Sequence, residues 1–192
     1  MKSYSDLKML TAVLLISFGV NAQSYKLNNT NSNLLVDGTS NIHDWTIEAE
    51  NTNGLLIVNF NEENLEKITK LEFSAVAESL VSGKSGMDKN TYKALNTDKY
   101  KNITFTLNKV NGIEKISESD YKVKTTGSLT IAGVKKQVSL NFNVKRATDQ
   151  LVLTGQYKLN MTDFGIDPPT AMFGTIKTGE EVLIKFESHF KK

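Results

Sequence analysis

Apolar residues recur at every second position over much of this chain. Ile103, Phe105 and Leu107 alternate with Thr104 and Thr106, and Val123, Thr125, Gly127 and Leu129 repeat the period. Val138, Leu140, Phe142 and Val144 stand against Ser139, Asn141, Asn143 and Lys145. Leu151, Leu153, Tyr157 and Leu159 follow, then Val182, Ile184, Phe186 and Phe190. Successive side chains on a strand point to opposite faces, so these segments predict strands with one dry and one wetter face. That pattern favours antiparallel pairing over a parallel sheet buried on both sides.

The N-terminal half adds short strands at Tyr25–Leu27 and Leu34–Gly38. Trp45–Glu50 and Leu55–Phe60 are separated by Asn51, Thr52, Asn53 and Gly54, which have turn chemistry. Leu71–Leu80 reads as one long strand with Phe73 and Ala75 on one face. Gly133 marks a hairpin between Leu129–Ile131 and Val138–Val144. One stretch has a helical pattern. Ser85 can cap it, with Asp88 at the spacing of a capping box, and Met87, Thr91, Ala94 and Leu95 fall on roughly one face. The expectation is a short helix over Gly86–Leu95, with a turn over Glu62–Lys67.

The apolar run from Met9 to Val20 breaks this pattern. Lys2 and Lys8 precede it, and Val20, Asn21, Ala22 and Gln23 follow. A basic start, an apolar core and small residues before a cleavage point form a secretory signal peptide. The run is too short for a bilayer span, which takes roughly 20 residues. The chain therefore divides into a leader over 1–22, cut after Ala22, and one domain over 23–192 exported to the periplasm or beyond. Losing the leader removes two lysines and one aspartate from a chain of net charge +2 and leaves about +1. That balance gives no electrostatic case for nucleic acid or for an anionic membrane, and no stable membrane insertion is expected. Export permits disulfides, yet the chain has no cysteine. Packing and strand pairing must hold it, and thiol chemistry is excluded.

Eight or more strands in a domain of this size suit a barrel or a sandwich. Closure removes exposed edges, and a barrel of about eight strands can hold one small ligand. The alternation alone leaves both architectures open.

Candidate chemistry is sparse. The two histidines, His43 and His189, are far apart in the chain. His43 adjoins Asp44, so on a strand the two would point to opposite faces. They suit a turn better than a metal site. No nucleophile elbow, phosphate-binding glycine loop or zinc-protease motif occurs, so an enzyme is not expected. Trp45 is the single tryptophan, suited to a core or a ligand wall. The only two prolines, Pro168 and Pro169, stiffen a connection flanked by Phe164 and Phe173.

Several pieces together resemble the YceI-like family of bacterial secreted proteins. Gly38-Thr39-Ser40-Asn41-Ile42-His43-Asp44-Trp45 is similar to a Gly-Thr-Ser-x-x-His-Asp-Trp form of the family. The segment from Val76 to Gly83 and then Met87-Asp88 come next. Tyr100-Lys101-Asn102-Ile103-Thr104-Phe105 resembles a strand opening in which Lys101 replaces the usual proline. Gly127 to Val138 is similar to the family's Gly-x-Leu-Thr-Ile-x-Gly-Val hairpin, and Asp163-Phe164-Gly165 to its late Asp-Phe-Gly element.

The resemblance implies an all-β, lipocalin-like, extended antiparallel β-barrel of about eight strands with a short helix. It also implies a bound polyisoprenoid or quinone-like lipid in the interior. Strand parity then nominates Trp45, Phe105, Phe142 and Phe186 as wall residues, with Met87 and Phe164 near an entrance. The leading expectation is a periplasmic binding or carrier protein whose partner is an apolar long-chain lipid, with no catalytic residues and no metal. A homodimer is an open alternative. The rival reading is a filled barrel acting through its surface in the cell envelope. Interior volume separates the two, because packed cores leave few voids larger than a water.

Overall fold

The computed structural model describes residues 22–192. The leader reading concerns residues 1–22, and all of these except Ala22 lie outside the described residues.

The described residues form twelve strands and one α-helix. The strands are β1 (Ala22–Leu27), β2 (Asn33–Ser40), β3 (Trp45–Ala49), β4 (Thr52–Asn61), β5 (Asn64–Val76), β6 (Leu80–Val81), β7 (Asn102–Lys115), β8 (Asp120–Ile131), β9 (Val134–Arg146), β10 (Gln150–Asn160), β11 (Thr170–Ala171) and β12 (Ile176–Lys191). The helix α1 is Ser85–Leu95. Antiparallel pairing runs β1-β4-β5-β7-β8-β9-β10-β12 and returns to β1. The result is a closed antiparallel barrel of eight strands.

Three positions around the wall hold two strands end to end. β1 and β2 lie along the same edge of β12, with Leu27 opposite Phe190 and Asn33 opposite Glu187. β3 pairs with β2 and β4 with β1, so they too form one stave bent at Glu50–Asn51. β5 and β6 are joined by a single turn at Ala77–Ser79. The three breaks sit side by side and are bonded to one another. Thr52 donates from its backbone N–H and from Oγ1 to Asn29 Oδ1, at 2.7 and 2.6 Å, and Asn29 Nδ2 donates to the Glu50 carbonyl at 2.7 Å. The Asn51 N–H donates to Ser79 Oγ at 3.1 Å.

This belt corrects two expectations. Asn51–Gly54 does not reverse the chain: Thr52, Asn53 and Gly54 already pair with Ala75, Ser74 and Phe73. Their turn chemistry is spent on a bend whose backbone groups are met by neighbouring staves. For the same reason Leu71–Leu80 is not one strand. The expected Glu62–Lys67 turn shrinks to Glu62–Glu63, and Asn64 opens β5. Gly133 does form the tight β8–β9 hairpin, with Ala132 and Gly133 both at positive φ (47° and 79°) as a two-residue primed turn requires.

The helix begins at Ser85, one residue before the expected start, and no side chain caps it. Asp88 does not reach Ser85. It accepts instead from the Ser82 N–H at 2.8 Å and Ser82 Oγ at 2.6 Å, tying the helix to the end of β6.

Inner positions follow the predicted parity. On β8, Tyr121, Val123, Thr125, Gly127, Leu129 and Ile131 all point inward while their neighbours are less buried. The end of the barrel holding the β4–β5, β7–β8 and β9–β10 turns is plugged. Tyr25, Leu56, Val58, Leu65, Tyr121, Val144 and Leu151 pack there, each at most 5% exposed. The Leu65 N–H donates to Tyr121 Oη at 3.2 Å. Outside this plug the Arg146 guanidinium pairs with Glu63 and lies 4.5 Å from the Phe60 ring centre.

Candidate functional site: an apolar cavity open at one end

The opposite end of the barrel is not filled. A cavity of ≈ 480 Å³ runs inward from the end where α1, the β2–β3 turn and the β10–β12 connection meet. Its size falls in the range of about 300–1,000 Å³ typical of small-molecule sites.

Its deep wall comes from the alternating residues: Ile103 and Phe105 on β7, Leu129 on β8, Leu140 and Phe142 on β9, Leu153 and Tyr157 on β10, and Ile184 and Phe186 on β12. Polar groups concentrate at the mouth, where His43, Lys84, Asn90, Thr91, Thr170 and Thr178 line the opening. Deeper in, the Ser188 hydroxyl is an isolated polar group on the wall. Burial pushes the Tyr157 phenol above its ordinary pKa, and the nearby Asp163 carboxylate adds to the shift. The phenol therefore stays neutral, as an apolar wall requires.

The aromatic side chains keep the cavity open because glycines lie behind them. Trp45 stands opposite Gly38 across β2 and β3. A Cβ on Gly38 would overlap the indole, and one on Gly127 would overlap the Phe105 ring. At Gly155 the added atom would come within 2.6 Å of Phe186 Cζ. Glycine within a strand commonly marks such close approach. With any other residue there, each ring would have to swing into the lumen.

Five of the six residues nominated from sequence are on the wall: Trp45, Met87, Phe105, Phe142 and Phe186. Met87 comes from α1, which covers the mouth. Trp45 is only half-buried, and its indole N–H donates to the Thr39 carbonyl at 2.9 Å. The sixth, Phe164, is a correction. It sits in the 3-10 turn Met161–Phe164 and is 3% exposed, in the protein core and away from the cavity lining. The turn is tied by Asn160 Oδ1, which accepts from the Thr162 N–H at 3.0 Å, and it directs Phe164 inward. Its near neighbours Met161 and Ile166 reach the cavity instead.

Reasoning from sequence missed the polar rim and the glycine notches. Glycine inside a predicted strand was the available signal for the notches. Lys84 and Asn90 gave none, because their place depends on how α1 docks. His43 belongs to the rim. Its Nδ1 lies 2.9 Å from the Asp44 carbonyl, and its own carbonyl accepts from Ser40 Oγ at 2.7 Å. Among the described residues no group of three His, Cys, Asp or Glu side chains is placed to hold a metal ion.

The family profile of the YceI-like domain matches residues 25–190. The chain belongs to that family. Solved structures agree with the YceI-like architecture. Burkholderia cenocepacia BcnA superposes with a TM-score of 0.67 at 15% identity, over 85% of this chain and 98% of that one. A polyisoprenoid binding domain from Saccharophagus degradans, implicated in plant cell wall breakdown, gives 0.66 at 14% identity, over 87% and 97%. The Campylobacter jejuni YCEI protein gives 0.58 at 19% identity, over 100% and 99%. At these identities the likeness establishes the fold. No curated protein sequence matches the chain.

Proposed function

We propose that this YceI-like barrel is an exported binding or carrier protein that holds an isoprenoid-like lipid in its cavity. The observation that carries the reading is the shape of the interior: a plugged floor, an apolar shaft and a polar rim. A long apolar chain fits the shaft, and a polar head such as a quinone ring or hydroxyl meets the rim. Each 100 Å² of chain removed from water contributes about 2.5 kcal/mol before the costs of association. The Saccharophagus degradans relative, a polyisoprenoid binding domain, supports the choice of lipid class.

The rival reading, a filled barrel working only through its surface, is disfavoured by the cavity itself. Binding is preferred to catalysis because the wall is almost entirely apolar and its histidine, at the rim, has Nδ1 against the Asp44 carbonyl. The leader reading makes it an exported protein, in the periplasm or beyond. Intact mass of exported protein tests removal of the leader, and a chain still carrying residues 1–22 would contradict it.

The cavity reading is tested by titrating the protein with geranylgeraniol and following Trp45, the only tryptophan. Wild type shows a saturable emission change. Phe142→Asp, still folded by circular dichroism, binds at least tenfold more weakly, because an unpaired carboxylate in an apolar lumen is costly. Saturable binding that Phe142→Asp leaves unchanged would overturn the assignment of this cavity.

A further inference from the structure

The cavity mouth carries apolar side chains that the fold leaves in solvent. Phe173 is 110% exposed, Met172 69% and Ile42 57%. Met172 and Phe173 sit in the turn Met172–Gly174 between β11 and β12, and Ile42 sits in the β2–β3 turn. Hydrogen bonds lash the two segments together. The Asn41 N–H donates to the Lys177 carbonyl at 3.1 Å, and the Lys177 N–H returns to Asn41 Oδ1 at 2.9 Å. Asn41 Nδ2 donates to the Thr175 carbonyl at 2.9 Å, while Thr175 Oγ1 donates to the Met172 carbonyl at 2.8 Å.

The backbone beneath this patch is strained. Met172 has φ 49° and Phe173 φ 57°, consecutive bulky residues in the left-handed region that such side chains rarely occupy. Strain of this kind persists only where the surrounding structure fixes it, and it clusters at functional sites. Here it displays two large apolar groups that gain nothing from the folded core.

We infer that this rim docks onto a phospholipid bilayer, with Ile42, Met172 and Phe173 entering the headgroup boundary and the cavity mouth facing the lipid. The inference rests on the reading that the cargo is a lipid taken up through this mouth. The patch is continuous with the cavity, since Ile42, Ala171 and Ile176 also line it. Three side chains supply only a few hundred Å² of apolar surface. A specific protein interface needs about 800 Å² per partner, whereas apolar groups entering a bilayer boundary need no matching surface. Lys84 and Lys177 are exposed at the same rim and make no salt bridge among the described residues, so they are free to meet lipid phosphates. Asp44 and Asp167 are exposed nearby, so the electrostatic part is small and apolar insertion dominates.

Flotation with vesicles of phosphatidylethanolamine and phosphatidylglycerol tests the inference. Wild type is expected to float with the vesicles. The triple variant Ile42→Ser, Met172→Ser, Phe173→Ser should bind at least tenfold less. Ile116→Ser, which alters an exposed apolar residue at the plugged end, should float like wild type. The double variant Met172→Ser, Phe173→Ser, which leaves every cavity-lining residue in place, should float less than wild type and keep its geranylgeraniol titration. Absence of flotation by wild type, or equal flotation by the triple variant, would overturn the inference. So would sedimentation showing a dimer that the triple variant abolishes without any vesicle binding, since the rim would then meet a second copy. Flotation that depends on the patch in a protein binding no isoprenoid would uphold docking and defeat the carrier reading.

Discussion

Phe186 on β12 stands directly opposite Gly155 on β10, and a Cβ on Gly155 would come within 2.6 Å of its ring. The cavity wall at this level exists because one stave lacks a side chain. Gly155→Ala is therefore expected to push the Phe186 ring into the lumen. Isoprenoid affinity should fall about tenfold while the circular dichroism spectrum is retained. A titration equal to wild type would show that the notch does not set the width of the shaft.

Trp45 belongs to the wall and to the β2–β3 hairpin at once. Its exposure is intermediate, so Trp45→Ala should cost less than the ~3–5 kcal/mol of a fully buried tryptophan. About 2 kcal/mol is expected in denaturant titration. Trp45→Phe keeps most of the apolar surface and loses the bond to the Thr39 carbonyl. It should cost about 1 kcal/mol. Equal losses for both variants would mean that the hydrogen bond, and not the ring, matters.

The belt of broken staves hangs on Asn29. Its side chain makes three hydrogen bonds, two accepted from Thr52 and one donated to Glu50. Thr52 is 8% exposed, so losing its acceptor leaves buried donors unmet. Asn29→Ala should lower stability by about 1–3 kcal/mol. A change under about 0.5 kcal/mol would show that the bend is held by the ladders alone.

Outside the barrel, Asp37 accepts from Thr46 Oγ1 at 2.6 Å and pairs with Lys185 Nζ at 2.7 Å. These bonds, that from Lys185 first, hold its pKa below the ordinary carboxylate value. A depressed folded-state pKa adds stability that is present above the unfolded value of about 3.9 and lost as pH falls through the lower folded one. Asp37→Asn should therefore lose stability at neutral pH and converge on wild type in strong acid. A constant gap between the two across that range would contradict this assignment.

Much of the barrel was legible because its wall obeys a two-residue period. On β8, β9, β10 and β12 the inward residues named from the alternation are the inward residues found, and Phe105, Phe142 and Phe186 reached the cavity wall on parity alone. Turn composition misled where bonds from distant segments outweighed it. Asn51–Gly54 has the composition of a turn, but Asn29 and Ser79 meet its polar groups from other staves, and the chain runs on. No local pattern shows that a side chain 23 residues away will do this. Phe164 was misplaced because nothing nearby in sequence reveals which way a short 3-10 turn will aim its last residue.

The most direct test of the lipid-binding account is mass spectrometry of the organic extract from protein purified out of its native envelope. The account predicts one isoprenoid-type lipid in near-stoichiometric amount, lost from Phe142→Asp prepared in the same way. Protein that is folded, carries no extractable lipid and fails to bind added geranylgeraniol would contradict it.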